Sequence, residues 1–228
     1  MVDSERTATL TTVANIFQET AGNHAAARQL DFYAMRERGL AWVLNRLKIN
    51  VLQLPKWRDE VTAQTWVSQM QPFSHRHFSL HDAATNAPLA FGYSIWIPVD
   101  LATHRPRRLA DFDVQLVDDK SGCDMPEKLA ALLEAPLRRV GGKTAEFSDL
   151  DMIGHVNNAK YIEWILNDWA RQSGAASACK SLEINYLNEV LNGETCHIFS
   201  QKKEHAIYFE LKQAADGRDI CRAKLGFT

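Results

Sequence analysis

Asp151, Gly154, His155, Asn157 and Asn158 lie within one stretch, 147–169, FSDLDMIGHVNNAKYIEWILNDW. A carboxylate, an imidazole and two carboxamides converge there on what reads as a tight turn entering a helix. The first turn of a helix offers unpaired N–H groups and partial positive charge. Such an end can hold an anion, or the oxyanion of a tetrahedral intermediate. Backbone N–H groups near Gly154, His155 and Val156 are candidate donors, and Gly154 lets a substrate approach the main chain closely. Each residue also has a plainer reading. Asp151 also suits a helix N-cap, His155 a helix-start histidine, and Asn157-Asn158 turn formers. The combination is more specific than any one member.

The elements that must position this stretch repeat along the chain. Residues 155–172 place Val156, Ala159, Ile162, Ile165, Leu166 and Trp169 on one helical stripe. Strand-like runs follow at Leu182/Ile184/Tyr186, Thr195/His197/Phe199 and Ile207/Phe209/Leu211, with a turn at Asp216-Gly217. In the first half, residues 30–48 carry Phe32, Met35, Leu40, Val43, Leu44 and Leu47 at roughly helical spacing, broken by Gly39. Strand runs then occupy 61–68, 75–82 and 89–99, with a turn at Thr85-Asn86. Asp59-Glu60-Val61-Thr62 lies over Gly193-Glu194-Thr195-Cys196. This order predicts an internal duplication. Each half is α+β, a helix followed by antiparallel strands that wrap it. The expected domains are 1–100 and 146–228, joined by a linker over 101–145 with one short helix near 126–133. On this alignment Gln29 and Tyr33 lie over Asp151 and His155, so the first half has no comparable turn.

Composition narrows the classes. The chain has 228 residues, 46% hydrophobic and 24% charged, with net charge −2, which argues against disorder and against a nucleic-acid binder. Mean hydropathy is −0.29 and no apolar run is long enough for a membrane span. The opening MVDSERTATL lacks a signal-like apolar core, so a cytoplasmic location is expected. Cys123, Cys179, Cys196 and Cys221 form no metal-type spacing, so they are expected to be free thiols and no metal is expected.

D-x-D-M-x-G-H-V-N-N-x-x-Y-x-x-W resembles the signature of hotdog-fold thioesterases. From about residue 10 to the end, the chain resembles the acyl-ACP thioesterases of plants and bacteria. LAWVLNRLKINVLQLPKWRDEVTAQTWV and HRHFSLHD…APLAFGYSIWIPVDLATHRPRRL carry the first-half similarity. The resemblance implies a tandem (double) hotdog, each half an antiparallel sheet around a long helix. It implies one active site, in the C-terminal half, and hydrolysis of fatty acyl-ACP to free fatty acid in fatty acid biosynthesis. Asp151 and His155 match the family's catalytic Asp and His. Tyr186-Leu187-Asn188-Glu189-Val190 matches its Y-R-R-E-C segment, so Glu189 takes the Glu position. Ile153 and Val190 stand where the family often has Asn and, in plants, Cys. A Cys nucleophile is therefore excluded at position 190, and Cys196 and Cys179 are the nearest alternatives in sequence.

The chemistry expected is attack of water on a thioester carbonyl. Either Glu189 or Asp151 acts as general base, and His155 orients the water or the carboxylate. Direct attack by Asp151, giving an anhydride, stays open. No cofactor is expected, since the substrate carries its own phosphopantetheine. An apolar acyl pocket is expected to include Met35, Leu40, Trp42 and Val43. The partner is an acidic acyl carrier protein. Arg105/Arg107/Arg108, Arg138/Arg139/Lys143 and Lys202/Lys203 are candidates for its docking. A homodimer stays open. The alternatives are an acyl-CoA thioesterase on the same scaffold, a non-catalytic acyl-binding module, and a hotdog dehydratase. The last is disfavoured because its His and carboxylate must sit on opposing halves.

Overall fold

The computed structural model describes residues 2–108, 114–119, 122–132, 138–173, 179–203 and 205–227. The chain divides into two compact units, Met1–Ala8 with Thr12–Pro126, and Thr9–Thr11 with Glu127–Thr228.

In the first unit, helix α1 (Leu10–Ala26) precedes a one-and-a-half-turn helix α2 (Phe32–Glu37). Four antiparallel strands follow: β1 (Leu40–Val51), β2 (Val61–Gln69), β3 (Ser74–Asp82) and β4 (Pro88–Asp100), in the order β2-β3-β4-β1. Val13, Ala14, Phe17 and Ala21 form the buried stripe of α1. Phe17 stacks on Phe78 with ring centroids 4.8 Å apart. Its ring also fills the space a side chain on Gly92 would need: a Cβ there would lie 2.6 Å from it. The central helix of this half is therefore α1, and the helix expected over 30–48 forms only at Phe32–Glu37, with strand from Leu40 on. A bulge between Leu44 and Arg46 explains the misreading. It resets the two-residue alternation, so that Leu44 and Leu47 both point into the core and mimic a helical step.

The second unit holds β5 (Arg138–Thr144), a single 3-10 turn (Phe147–Asp149), α3 (Asn158–Ser173) and β6 (Ser181–Tyr186), β7 (Thr195–Lys203), β8 (Ala206–Gln213) and β9 (Asp219–Gly226). The antiparallel order is β6-β9-β8-β7-β5. On α3, Ala159, Ile162, Ile165 and Leu166 are buried, as their spacing predicts, and so are Tyr161 and Trp164. The sheet contributes Leu182, Ile184, Cys196, Ile198, Phe209, Leu211, Cys221, Ala223 and Leu225 to the core. On β7 the buried positions are Cys196 and Ile198. The strand expected from Thr195/His197/Phe199 forms, and those three residues lie on its opposite, half-buried face.

The expected linker 101–145 contains more structure than a connection. β5 pairs with β7, and Gly141 leaves the gap that Asp168 of α3 occupies: a Cβ would sit 2.2 Å from its carboxylate. No helix forms over 126–132, and residue 133 lies outside the described residues. Buried polar side chains of the sheet hold this segment instead. Glu127 N donates to Glu183 (2.9 Å), Leu129 N to Asn185 (2.8 Å) and Leu132 N to Glu210 (2.7 Å). Asn185 and Arg222 donate back to the carbonyls of Glu127 and Leu129. Main chain thus satisfies Glu183, Asn185 and one oxygen of Glu210, while among the described residues Glu210 Oε2 has no hydrogen bond and lies 3.4 Å from Lys212 Nζ.

The duplication is visible in the hairpins. Asn86 (φ 58°) and Gly217 (φ 75°) occupy matching turns, each donating to the carbonyl four residues back. Among the described residues no helix is long and apolar enough to cross a membrane.

Candidate active site

Leu150 and Val156 close a small antiparallel bridge, and His155 bridges Leu191. Between them the chain turns tightly. Asp151 N donates to His155 O (2.8 Å), and Gly154 N donates to Asp151 O (3.1 Å). Gly154 sits at φ +85°, and nothing within 4 Å would meet a Cβ. Glycine is there for the left-handed backbone, not for close packing. Asp151 Oδ1 accepts from Ile153 N (3.0 Å) and His155 N (3.2 Å). This carboxylate therefore braces its own turn and fixes where His155 emerges. It does not cap the helix. Asn157 does, its Oδ1 accepting from Ala159 N at 2.9 Å.

His155 Nε2 lies 3.2 Å from Glu189 Oε2. Glu189 sits in the loop after β6, and the bond from Val156 N to Val190 O (2.9 Å) ties that loop to the turn. Glu189 has 63% side-chain exposure against 30% for His155. The carboxylate thus faces water while the imidazole is partly sheltered. At that distance a hydrogen on His155 Nε2 is donated to the Glu189 carboxylate.

The main-chain N–H groups expected to meet an oxyanion are occupied. Those of Gly154 and His155 serve the Asp151 turn, and that of Val156 serves Val190. The bridges that make the turn rigid consume its donors. Asn157 N likewise donates to Asp149 O. The Asn158 N–H, first in the helix, accepts no such role among the described residues, nor do the Asn157 and Asn158 Nδ2 groups. The unoccupied donors of this segment therefore lie at the helix start.

Asp149 was not among the expected site residues. It is buried and supports the whole turn. It receives Glu146 N (3.0 Å) and lies 3.8 Å from Lys143 Nζ and 3.6 Å from Lys160 Nζ. The D-x-D spacing with Asp151 was the available signal. Tyr186 OH donates to Asn158 O (3.0 Å), holding the helix start to the end of β6.

All four cysteines are buried and none is in a disulfide. Burial pushes the thiols of Cys179 and Cys196 up to about 11, and raises Cys221 too. None of these three offers a ready thiolate near neutral pH. Among the described residues no group of three or more His, Cys, Asp or Glu could hold a metal ion.

Of the expected acyl-pocket residues, Met35 lies on α2, while Leu40, Trp42 and Val43 lie on β1. Met35 and Leu30 form a buried cluster to which Leu40, Trp42, Ala25, Met70 and Val114 pack. Trp42 Nε1 donates to Leu30 O at 2.9 Å. Val43 is exposed and stands outside that cluster. A void of about 20 Å³ adjoins the cluster.

The residues 1–115 match the family model described as the acyl-ACP thioesterase N-terminal domain, and 142–228 match the C-terminal domain of the same family. A chloroplastic acyl-ACP hydrolase of Cuphea viscosissima is 29% identical over 95% of this chain and 57% of its own length. A chloroplastic oleoyl-acyl carrier protein thioesterase of Coriandrum sativum is 30% identical over 82% of this chain and 56% of its length. The chain spans about half the length of such plant relatives. The crystal structure of an acyl-ACP thioesterase from Bacteroides thetaiotaomicron superposes with TM-score 0.81 at 28% identity, covering all of this chain and 93% of that one. A double-hotdog protein of Mycobacterium tuberculosis, TM-score 0.58 at 11% identity, shares the fold.

Proposed function

The chain belongs to the acyl-ACP thioesterase family, and we propose that it hydrolyses fatty acyl-ACP to free fatty acid and holo-ACP. The observation that carries this reading is the turn braced by Asp151, which presents His155 to Glu189 at 3.2 Å.

A water on Glu189 gives its proton to the carboxylate as its oxygen bonds to the thioester carbon. His155 fixes the carboxylate through Nε2–H. The carbonyl oxygen becomes an oxyanion beside the Asn158 N–H and the Asn157 and Asn158 carboxamides, where each aligned donor contributes about 3 kcal/mol. Collapse breaks the C–S bond. The leaving thiol has a pKa of about 8.5, so the thiolate departs without a strong acid, and the proton on Glu189 passes to it. Base and oxyanion donors therefore carry most of the demand. General-base assistance is worth roughly 10²- to 10⁴-fold. The buried, poorly ionised thiols take no part.

Met35, Leu40 and Trp42 form the acyl-contacting wall in the first unit. The adjoining void has room for about one water by volume, so an acyl chain enters only as those side chains move. The carrier is acidic, and the exposed Arg138 and Arg139 on β5 suit it better than Lys143, which is engaged by Glu146 and Asp149. Steady-state hydrolysis of matched acyl-ACP and acyl-CoA series tests the carrier. Higher kcat/KM on the ACP series supports the reading, and equal cleavage of both makes the protein a general acyl thioesterase.

A further inference from the structure

The braced turn has a double in the first unit, at a place the sequence alignment by halves did not reach. Asp3 Oδ1 accepts from Glu5 N and Thr7 N, both at 2.9 Å, as Asp151 does from Ile153 and His155. Asp3 N donates to Thr7 O (2.8 Å) and Arg6 N to Asp3 O (3.1 Å), the same distances as in the Asp151 turn. Thr7 bridges Lys56 as His155 bridges Leu191, and Ala8 N donates to Pro55 O as Val156 N does to Val190 O. The following loop matches too: Lys56 N donates to the Asp59 carboxylate as Leu191 N does to that of Glu194. The correspondence by Gln29 and Tyr33 is thereby replaced by Asp3 and Thr7.

In this copy the chemistry has been exchanged. His155 and Glu189 become Thr7 and Leu54. Gly154, Leu191, Asn192 and Gly193 become Arg6, Lys56, Trp57 and Arg58. Arg6 (φ 61°) and Arg58 (φ 74°) take the left-handed backbone that glycine holds in the other copy. The four substituted residues, with Val2 and Glu5, line an open recess of about 900 Å³. Trp57 is 59% exposed on its wall. Among the described residues none of the three cationic side chains has an ion-pair or hydrogen-bond partner. The carboxylates of Asp3 and Asp59 are turned to main-chain N–H groups, so Glu5 alone opposes three cations in the lining.

We propose that this recess is a second ligand site, one that binds an organic phosphate. Two guanidinium groups and an ammonium converge from two loops onto one concavity, which suits a compact, multiply charged anion. An exposed indole beside them offers a face for a flat ring or an amide-bearing arm. A concave recess favours a small phosphate ester over an acidic protein surface, which would need a broader patch. The site uses none of Asp151, His155 or Glu189 and stands independently of the hydrolase reading.

The test titrates the full chain with inorganic pyrophosphate, ADP, 4′-phosphopantetheine and unphosphorylated pantetheine, by calorimetry and tryptophan fluorescence. The variants are Arg6→Gly, Arg58→Gly and Lys56→Leu, each restoring the residue of the other copy. The two glycines relieve left-handed backbone, so loss of binding with an unchanged or raised Tm cannot come from misfolding. We expect saturable binding of the phosphate-bearing probes and none of pantetheine. Each variant should weaken it about 10- to 100-fold, and Trp57→Phe should abolish the fluorescence change. Stronger binding of ADP than of 4′-phosphopantetheine identifies a nucleotide as the source, and the reverse identifies the flexible arm. No saturable binding overturns the proposal, as does binding indifferent to the variants. Equal, salt-erased binding of every anion marks a mere counterion patch and overturns it as well. If the variants impair only hydrolysis of acyl-ACP, with no small phosphate bound, the recess docks a protein and the proposal falls.

Discussion

Asp151 and Glu189 are separable by isosteric substitution. Asp151→Asn keeps an oxygen for the N–H groups of Ile153 and His155 but removes the charge; Asp151→Ala removes both. The account expects Asp151→Ala to lower kcat at least tenfold and Asp151→Asn to lower it less. Only the alanine variant should also lose about 1 kcal/mol of stability, read from the urea midpoint. Glu189→Gln should cost roughly 10²- to 10⁴-fold in kcat with an unchanged midpoint. If Asp151→Asn proves much the more damaging of the two, the proton acceptor is Asp151. Gly154→Ala forces a side chain onto φ +85°. It should cost about 1–2 kcal/mol by melting temperature and slow turnover by displacing His155.

At the scale of elements, the site depends on how a helix start and a strand end are pinned. Asn157→Ala removes the cap on Ala159 N and should lower stability by about 1 kcal/mol, with kcat falling because the oxyanion donors loosen. α3, its apolar stripe and the turn before it were legible because Gly154 and the 3.6-residue period coincide. Asp151, His155 and Glu189 were legible through the motif and the family resemblance. What the sequence concealed has local causes. The Leu44/Arg46 bulge gives β1 a helical spacing, while α1, rich in threonine and alanine, carries a weaker apolar period. β5 looked like linker because of its Gly141-Gly142 pair, of which Gly141 serves the approach of Asp168, a contact between residues distant in sequence. The occupied N–H group of Val156 depends on the loop at Val190, which spacing alone does not locate.

At the scale of the molecule, two copies of one unit have diverged in chemistry while keeping their hydrogen-bond pattern. Their stability should respond to pH through His24. Burial first, then the charges of Arg76 and Arg28, lower its pKa to about 4, and its Nδ1 accepts from Arg76 at 3.2 Å. In the unfolded chain a histidine titrates near ~6.5. Between those values the unfolded state binds more protons, so stability rises with pH across the window. The contribution is complete above about 6.5 and is lost as pH falls towards 4. Urea midpoints at pH 7.5 and 4.5 should differ less in His24→Asn than in the wild type; an equal difference would remove His24 from the explanation. The central claim is most directly tested by single-turnover hydrolysis of one long-chain acyl-ACP by the wild type and by His155→Gln and Glu189→Gln. The account predicts free fatty acid from the wild type and a loss of at least tenfold in each variant, with the melting temperature preserved. Wild-type rates in both variants would contradict it.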